Sequence, residues 1–282
     1  MMRSGPLPAR PAGNPLTIVG HDRANLDRDV RAAVAQGQFH IHWQPIVSCL
    51  TGTLYGFEAL LRWDRPDHGP VSPAQFVPIA ERMGLHQQLD TWVLRRACAE
   101  AARWPAPLHF AVNVSAGWFD GTDLSTTVQR ALEAAKLDPA RLELEVTERI
   151  FFDSAGSARS ELAYLRALGV SLSLDDFGTG FSSLGYLRTI AFDKIKLDRT
   201  FIETLGTCRR TEVIVRSLLQ LSSGLGMQVC AEGVEQESQL GILQAYRCDE
   251  VQGFLIGHPA SIGADTFLTY ARLPESDMFG SA

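Results

Sequence analysis

The sequence predicts an α/β protein built as a closed (β/α)8 barrel of the TIM type, with an irregular first strand. Three observations lead to this fold class. Short apolar segments alternate with helical patterns along most of the chain. About eight such segments in roughly 250 residues match the size of one barrel. The first two segments are separated only by a short turn, so they are predicted to form a hairpin before the βα repeat begins.

The repeat can be followed element by element. Segments with strand character lie at residues 39–47, 55–63, 108–114, 142–146, 170–175, 192–197, 228–231 and 250–254. Helical patterns lie at residues 73–83, 88–102, 124–135, 157–168, 211–225 and 235–243. Pro73 and Gly84 stand where signals for a helix start and a helix end belong, and Thr51-Gly52 predicts the hairpin turn. Because strands and helices alternate after this turn, the sheet is predicted to be largely parallel.

The two ends of the chain lack this periodicity. Residues 1–22 are rich in Pro, Gly and Arg, and they are predicted to be a flexible lead-in or the remnant of a linker from an upstream module. The barrel is predicted to span residues 23–272, with a tail over 273–282. Neither the apolar run of a signal peptide nor a membrane span of roughly 18 apolar residues is recognisable, so we expect a cytoplasmic chain without membrane contact.

Composition argues against several classes of protein. The formal net charge is -6, whereas proteins that bind polymeric nucleic acid by neutralising phosphates are usually basic. The chain has 5 cysteines, an odd number, and no CxxC pair. The sequence therefore predicts neither a zinc ribbon nor a disulfide framework.

Polar residues near the strand ends share one face of each strand. Successive side chains of a strand point to opposite faces. In three of the predicted strands one face is apolar and suits packing under helices, while the other face carries Asn113, Glu145 or Asp175. These three side chains are predicted to point into the barrel near the C-terminal strand ends, where barrels of this type place their chemistry.

Carboxylate and amide side chains recur at or just past the strand ends, at Glu58, Asn113, Glu145, Asp175, Asp176 and Glu232. Inward carboxylates in one barrel mouth would repel each other, so either their pKa values rise or a cation lies among them. Oxygen ligands of this kind suit Mg2+ or Mn2+ rather than zinc. The adjacent Asp175 and Asp176 could let one carboxylate bridge two metals.

A set of short motifs occurs in a fixed order around these residues. They are Gln44-Pro45-Ile46-Val47, Glu58-Ala59-Leu60, the segment 73–81, Val112-Asn113-Val114-Ser115, Glu145-Val146-Thr147-Glu148, the segment 175–180, Lys194-Ile195-Lys196-Leu197-Asp198, the segment 231–235 and Gln252-Gly253. With these motifs, the chain from about Gln38 to Pro259 resembles the EAL-domain family of cyclic di-GMP phosphodiesterases. Ser48 and His258 depart from the family's usual aspartate and arginine, which bears on substrate contacts or partner surfaces.

The resemblance implies metal-dependent hydrolysis of cyclic di-GMP to linear pGpG, which lowers the level of a bacterial second messenger. Glu58, Asn113, Glu145 and Asp175 match ligands of a first Mg2+ or Mn2+, and Asp175 and Asp176, with Glu232 nearby, match a second-metal site. Lys196 matches the lysine that holds the attacking water, which a metal converts to hydroxide for in-line attack. Lys196, Glu58 and Glu232 form the implied catalytic set. Ca2+ is expected to inhibit, because its looser shell distorts a site built for octahedral Mg2+.

The resemblance also implies roles around the substrate. Gln44 and Arg62 match residues that contact it, and further residues that line the site match Leu60, Asp198, Glu235 and Gln252. Glu148 matches the glutamate that anchors the loop Phe177–Ser183, and this loop orders the Asp pair and helps to form a homodimer. Family members often carry an upstream sensor, so a sensor or a GGDEF module is a candidate partner in a longer protein.

Two other functions fit parts of the same pattern. The chain could be a catalytically weak EAL domain that acts as a cyclic di-GMP receptor, although it lacks none of the implied metal ligands. It could also be an unrelated barrel enzyme that uses Mg2+ on a phosphorylated sugar.

Individual residues have simpler readings as well. Taken alone, Asp175-Asp176 is typical of a turn or a helix cap, and Lys196 could form a structural ion pair with Asp198 or another acidic neighbour. Glu148 and Glu235 could be ordinary residues of early helical turns. Lys194 reads as an ordinary charged strand residue, and His109 reads as a packing residue of the barrel floor.

Overall fold

A computed structural model describes residues 20–119, 123–150, 155–178, 190–263 and 266–267, and it confirms the predicted barrel. The strands are β1 (Phe39–Ser48), β2 (Leu54–Arg65), β3 (Gly69–Val71), β4 (His109–Val114), β5 (Leu142–Thr147), β6 (Ser171–Phe177), β7 (Lys194–Leu197), β8 (Gln228–Ala231) and β9 (Glu250–Val251). They follow the order β1-β9-β8-β7-β6-β5-β4-β2-β3, and pairing of β1 with β2 closes the ring.

The first strand is irregular, as predicted. β1 runs antiparallel to both of its neighbours, β2 and β9, whereas the successive pairs from β2 through β4 to β9 are parallel. The β1–β2 turn contains Gly52 at a φ of 69°, a left-handed conformation that glycine adopts without steric cost. The short β3 extends β2 outside the ring and was missing from the sequence prediction.

The helices lie between the strands. They are α1 (Gly20–Gln36), α2 (Pro73–Arg82), α3 (His86–Ala101), α4 (Leu124–Ala135), α5 (Ala155–Leu168), α6 (Arg199–Ile202), α7 (Arg209–Gly224) and α8 (Glu237–Ala245), with short 3-10 turns at Ala116–Phe119 and Pro139–Arg141. The sequence prediction contained neither α1 nor the single-turn α6. In the described part of the chain, no helix is both long and apolar enough to cross a membrane.

Helix α1 covers one side of the β1–β2 hairpin. Its buried side chains Leu26, Val30 and Ala33 belong to the same apolar cluster as Phe39 and Phe76. This packing makes residues before β1 part of the folded unit. The proposed domain limits stay predictions, because residues 1–19 and the tail 273–282 lie outside the described residues.

The strands separate two buried environments. Phe110, Leu144, Leu172 and Ile195 belong to the main apolar core, which fills the space between barrel and helices. The opposite parity carries buried polar residues, namely Glu143, Glu145, Ser173, Lys194 and Lys196. Because side chains alternate along a strand, this second set faces the barrel interior and supplies the polar groups of the mouth.

Candidate active site

A lysine lies where the acidic side chains of the barrel mouth converge. Nζ of Lys196 is 2.6 Å from Glu232 Oε1, 2.7 Å from Glu145 Oε1, 3.3 Å from Glu58 Oε2 and 3.8 Å from Asp175 Oδ1. The Lys196 side chain is only 1% exposed. The barrel therefore gathers carboxylates from β2, β5, β6 and the end of β8 around one buried ammonium.

Strand register explains why these residues meet. Asn113 is directly opposite Glu145 in the β4–β5 pair, Glu145 is opposite Ser173 in the β5–β6 pair, and Asp175 follows two residues later on β6. Glu232 comes directly after β8. Parallel strands end at the same edge of a sheet, so residues at these positions reach one mouth.

Amide side chains hold Glu58 in place. Its Oε1 accepts a hydrogen bond of 2.8 Å from Asn113 Nδ2, and its Oε2 accepts one of 2.7 Å from Gln252 Nε2. The same Gln252 nitrogen lies 3.0 Å from Gln44 Oε1, and Gln44 Nε2 donates to the carbonyl oxygen of Gly257. Gln44 and Gln252, two of the predicted substrate residues, are thus linked directly to the carboxylate cluster.

Burial and like charges shift the pKa values of this cluster in different directions. Burial raises the pKa of Glu58, but Lys196 and the two amide donors outweigh it and lower that pKa. Burial and the neighbouring Glu58 raise the pKa of Glu145, and burial raises the pKa of Glu232 to about 8. Burial disfavours the Lys196 ammonium, yet the surrounding carboxylates raise its pKa well above the usual value. Lys196 therefore stays charged, while part of the carboxylate set holds protons near neutral pH.

The two adjacent aspartates adopt an unusual turn. Asp176 has a φ of 55°, in the left-handed region that a non-glycine residue occupies at a cost. Its backbone N–H donates to Asp175 Oδ1 at 2.9 Å, and the β6–β7 register shifts between Leu174 and Phe177. The turn directs neighbouring carboxyl groups toward the mouth. Burial and Asp175 raise the pKa of Asp176.

The donor set fits a hard divalent cation. The carboxylates around Lys196 outnumber the single ammonium, and Oε2 of the buried Glu145 accepts no hydrogen bond from any described residue. Oxygen donors with excess negative charge suit Mg2+ or Mn2+. Within the described ranges, however, no three His, Cys, Asp or Glu side chains are already placed to hold a metal ion.

A cleft of about 940 Å3 adjoins the cluster on the side of β2, β4 and β5. Among the predicted site residues, its lining includes Leu60, Arg62, Asn113, Glu148 and Asp176. The Arg62 guanidinium donates to the carbonyl oxygen of Leu61 at 2.9 Å, which leaves other N–H groups of its fork available to a ligand. The cleft provides room for a drug-sized molecule beside the carboxylates.

Some predicted residues do not contact the cluster directly. Asp198 caps α6 by accepting from Thr200 N at 2.9 Å, and it is not among the four acidic neighbours of Lys196 described above. Glu235 is exposed before α8. Most of the predicted loop Phe177–Ser183 lies outside the described residues, which end at residue 178 in this region.

A second buried ion group lies below the first and was missed in the sequence. Nζ of Lys194 is 2.5 Å from Glu143 Oε2 and 2.7 Å from Glu250 Oε2. The reading of Lys194 as an ordinary strand residue was wrong, because its side chain is only 3% exposed. His109 does pack at this level, stacked on Tyr55 with ring centroids 4.3 Å apart. The signal for Lys194 was its shared parity with Lys196.

The helix-side wall of the cleft holds a further group that sequence reasoning missed. Asp90 Oδ2 accepts hydrogen bonds from Ser115 N at 3.0 Å, Ser115 Oγ at 2.6 Å and Trp118 Nε1 at 2.9 Å. Asp90 thereby fixes the backbone that follows β4, two residues beyond Asn113. Its partners are 25 and 28 positions away, so no local sequence signal identifies it.

Comparison with known proteins identifies the family. The EAL domain model matches residues 27–259. The bifunctional diguanylate cyclase/cyclic di-GMP phosphodiesterase MucR of Pseudomonas aeruginosa is 40% identical over 242 residues, or 84% of this chain and 35% of that protein. Cyclic di-GMP phosphodiesterase NbdA of the same organism is 39% identical over 253 residues, or 88% of this chain and 32% of that protein.

A solved structure shares the fold. The MucR phosphodiesterase in complex with c-di-GMP has a TM-score of 0.80 and 40% sequence identity, covering 86% of this chain and 99% of that one. The present chain spans about a third of the length of the curated relatives it matches. With the family model matching most of its residues, this chain belongs to the EAL domain family.

Proposed function

We propose that this chain hydrolyses cyclic di-GMP to linear pGpG with the help of divalent metal ions, and so lowers the level of this second messenger. The observation that carries the proposal is the convergence of Glu58, Glu145, Asp175 and Glu232 around Lys196, beside a cleft large enough for a ligand. The names of MucR and NbdA, both cyclic di-GMP phosphodiesterases, support the choice of substrate.

The proposed ions are Mg2+ or Mn2+, two in each site. The residues proposed to hold them are Glu58, Asn113, Glu145, Asp175, Asp176 and Glu232. Such ions, when bound, stabilise charge on phosphate oxygens and acidify water. The unsatisfied oxygen of Glu145 and the excess of carboxylates over ammonium groups are the features of this chain that suit them.

The remaining chemistry is assigned to the protein's own groups. The ammonium of Lys196 is proposed to donate a hydrogen bond to the attacking water and orient it, since its raised pKa prevents it from acting as a base. Glu232 is 2.6 Å from that ammonium and is proposed to act with it on the attacking water. Hydrogen bonds from Asn113 and Gln252 hold Glu58 in place. Glu58 is proposed to act in the same step, the attack of water on the phosphorus.

Other residues are proposed to position the substrate. The guanidinium of Arg62 contacts a phosphate, for which its fork of N–H donors is suited. Further contacts are proposed for Gln44, Leu60, Asp198, Glu235 and Gln252. Glu148, which lines the cleft together with Asp176, is proposed to anchor the loop that follows the Asp pair.

A receptor without turnover is the second candidate function. The observation in its favour is that Lys196 occupies the point of convergence and that no three metal-ligating side chains among the described residues are already arranged around a common centre. Calorimetry separates the two candidates, because a receptor binds cyclic di-GMP with no product formed.

Product analysis tests the enzyme directly. The chain is incubated with cyclic di-GMP and Mg2+ or Mn2+, and the mixture is separated by chromatography. We expect pGpG to accumulate with either ion, no accumulation for Glu58→Ala, and inhibition by Ca2+. A wild-type chain that forms no more pGpG than Glu58→Ala would exclude the proposed activity.

Several wider expectations also stay predictions. They are a cytoplasmic location, a homodimer, no binding to polymeric nucleic acid, no membrane contact, and a sensor or GGDEF module elsewhere in a longer protein. Light scattering of the purified chain tests the dimer directly.

A further inference from the structure

An aspartate of helix α3 holds the turn that follows β4. A single oxygen of Asp90, Oδ2, accepts hydrogen bonds from Ser115 N at 3.0 Å, Ser115 Oγ at 2.6 Å and Trp118 Nε1 at 2.9 Å. Trp118 N donates to the carbonyl oxygen of Ser115 at 3.2 Å, so residues 115–118 form one compact turn. This turn is therefore tied to α3 through three donors on one oxygen.

The first residue of α3 packs against the same turn. A Cβ atom built on Gly117 would lie 2.3 Å from His86 Nε2, so the imidazole is packed closely against the Gly117 backbone, as the absence of a side chain there allows. His86 and Asp90 are four positions apart and share one face of α3. This face of α3 thus contacts the turn by a steric contact and by hydrogen bonds, and both of its residues also line the cleft.

Strand β4 is paired on one side only where it approaches this turn. The β2–β4 pairing ends at Val112, whereas the β4–β5 pairing continues to Val114. Of the described strands, only β5 therefore pairs with β4 at Asn113. Ser115 comes directly after the last sheet pair, and Asp90 holds both its N–H and its hydroxyl. Asp90 thus supplies a further fixed point just past the end of the strand.

We propose that Asp90 is a positioning residue for Asn113, acting through the short backbone segment that leads to Ser115. This inference rests on the proposed function, in which Asn113 helps to hold a divalent ion. Asn113 Nδ2 donates to Glu58 Oε1 at 2.8 Å, so a displaced amide would disturb two of the proposed ligands together. Groups that orient metal ligands from behind contribute about ten- to hundredfold to metal affinity or activity.

Removal of the carboxyl group tests this role. Asp90→Ala is expected to raise the Kd for Mn2+ about tenfold and to lower kcat about tenfold or more. Calorimetric titration with Mn2+ alone measures the first effect without substrate or turnover, which matters because Asp90 also lines the cleft. Asp90→Asn keeps an acceptor oxygen for Ser115, and it is expected to restore the Kd for Mn2+ to within about threefold of wild type.

Asp193 provides a matched control at the opposite end of the barrel. Its Oδ2 accepts from Leu172 N at 2.9 Å, and its Oδ1 pairs with Arg166 at 2.8 Å. Leu172 is near the start of β6, the strand that carries Asp175. Asp193→Ala therefore removes the same kind of bond from a strand with a proposed ligand. It is expected to lower the thermal unfolding temperature, as Asp90→Ala does, but to leave the Mn2+ Kd and kcat within about twofold of wild type.

A double-mutant cycle tests whether Asp90 acts through Asn113. Asn113→Ala is expected to weaken Mn2+ binding at least as much as Asp90→Ala, and the two changes together no more than Asn113→Ala alone, because both disturb one arrangement. Additive losses would overturn the route through Asn113. If Asp90→Ala does not fold, Ser115→Ala and Trp118→Phe take its place. Each removes one donor to Asp90 and is expected to raise the Kd for Mn2+ about threefold.

The outcomes separate this inference from the proposed function. If the wild type binds Mn2+ and forms pGpG while Asp90→Ala changes neither Kd nor kcat by more than about twofold, the positioning role is excluded and the enzyme stands. The same holds if Asp193→Ala weakens Mn2+ binding as much as Asp90→Ala. If the wild type binds Mn2+ and cyclic di-GMP without turnover, the Mn2+ Kd values decide by the same ratios. If the wild type neither binds Mn2+ nor forms pGpG, both proposals fail.

Discussion

The two buried lysines of β7 lie two residues apart, yet the charges around them differ. Lys194 contacts two carboxylates, Glu143 and Glu250, and its Nζ lies 4.3 Å from the centre of the Tyr55 ring. Lys196 has four carboxylates within 4 Å. With all groups ionised, the lower group carries an excess of one negative charge and the upper group an excess of three.

The two groups also differ in access to solvent. The side chains of Glu143 and Glu250 are 2% and 5% exposed, whereas those of Asp175 and Glu232 are 14% and 21% exposed. Both lysines are equally buried, so burial alone does not distinguish a functional ion group from a structural one. The upper group differs from the lower one because it carries excess negative charge that ions from solvent can reach. Matched variants of the two lysines test this difference.

Replacing Lys196 should have the largest effect. Lys196→Met removes the proposed donor to the attacking water, so kcat should fall on the order of 10³-fold. The surrounding carboxylates can still be neutralised by bound cations, so the variant should fold in excess Mg2+ and bind Mn2+ in calorimetry. Steady-state product formation measures the loss. A kcat within tenfold of wild type would show that the ammonium only balances charge.

The matched change in the lower group should affect stability instead. Lys194→Met leaves Glu143 and Glu250 buried without their cation, which should lower the free energy of unfolding by about 3–5 kcal/mol. Urea denaturation measures this loss, and kcat of the folded variant should stay within about threefold of wild type. Excess Mg2+ should not restore the stability, because the lower group is closed to solvent. Recovery in Mg2+ would contradict the proposed difference between the groups.

Much of this arrangement could be predicted from local sequence. Alternation within single strands is enough to turn Asn113 and Glu145 inward, and the βα repeat is enough to bring their strand ends to one edge. Pairing of the two across β4 and β5 follows from those two facts. The sequence also indicated that a metal cation or raised pKa values must relieve the carboxylates. Burial and like charges do raise the pKa values of Glu145 and Glu232, the cation among the described residues is the Lys196 ammonium, and the metal stays a prediction.

The missed features depend on contacts between distant segments. Lys194 meets Glu143 across 51 positions, and only closure of the barrel brings Glu250 to the same point. No window of sequence contains that information. Helix α1 is a different case. Leu26, Val30 and Ala33 have helical spacing that is visible in the sequence, but the segment contains few apolar residues. Its stability comes from packing on the hairpin rather than from a strong local signal.

The smallest expected effect is a pH dependence that separates the two groups. The folded-state pKa of Glu232 is about 8 and that of Glu250 about 7, both raised from 4.5. A raised carboxyl pKa means that the folded state holds more protons than the unfolded state, so this stability is present at low pH and is lost as pH rises through the window. In EDTA, the free energy of unfolding should therefore fall as pH rises between roughly pH 5 and 8.5.

Bound metal should remove only the part of this pH dependence that comes from the upper ion group, around Lys196. Excess Mg2+ favours the ionised carboxylates of the mouth, so the stability that it adds should grow with pH up to about 8. In Glu232→Gln, the free energy of unfolding should stop falling near pH 7, which is the pKa of Glu250. Mg2+ should not change this remaining pH dependence. Urea denaturation across pH, with EDTA or Mg2+, measures all three. A free energy of unfolding that rises from pH 6 to 8 in EDTA would show that these carboxylates are not protonated in the folded state, and the excess charge assigned to the mouth would already be balanced without metal.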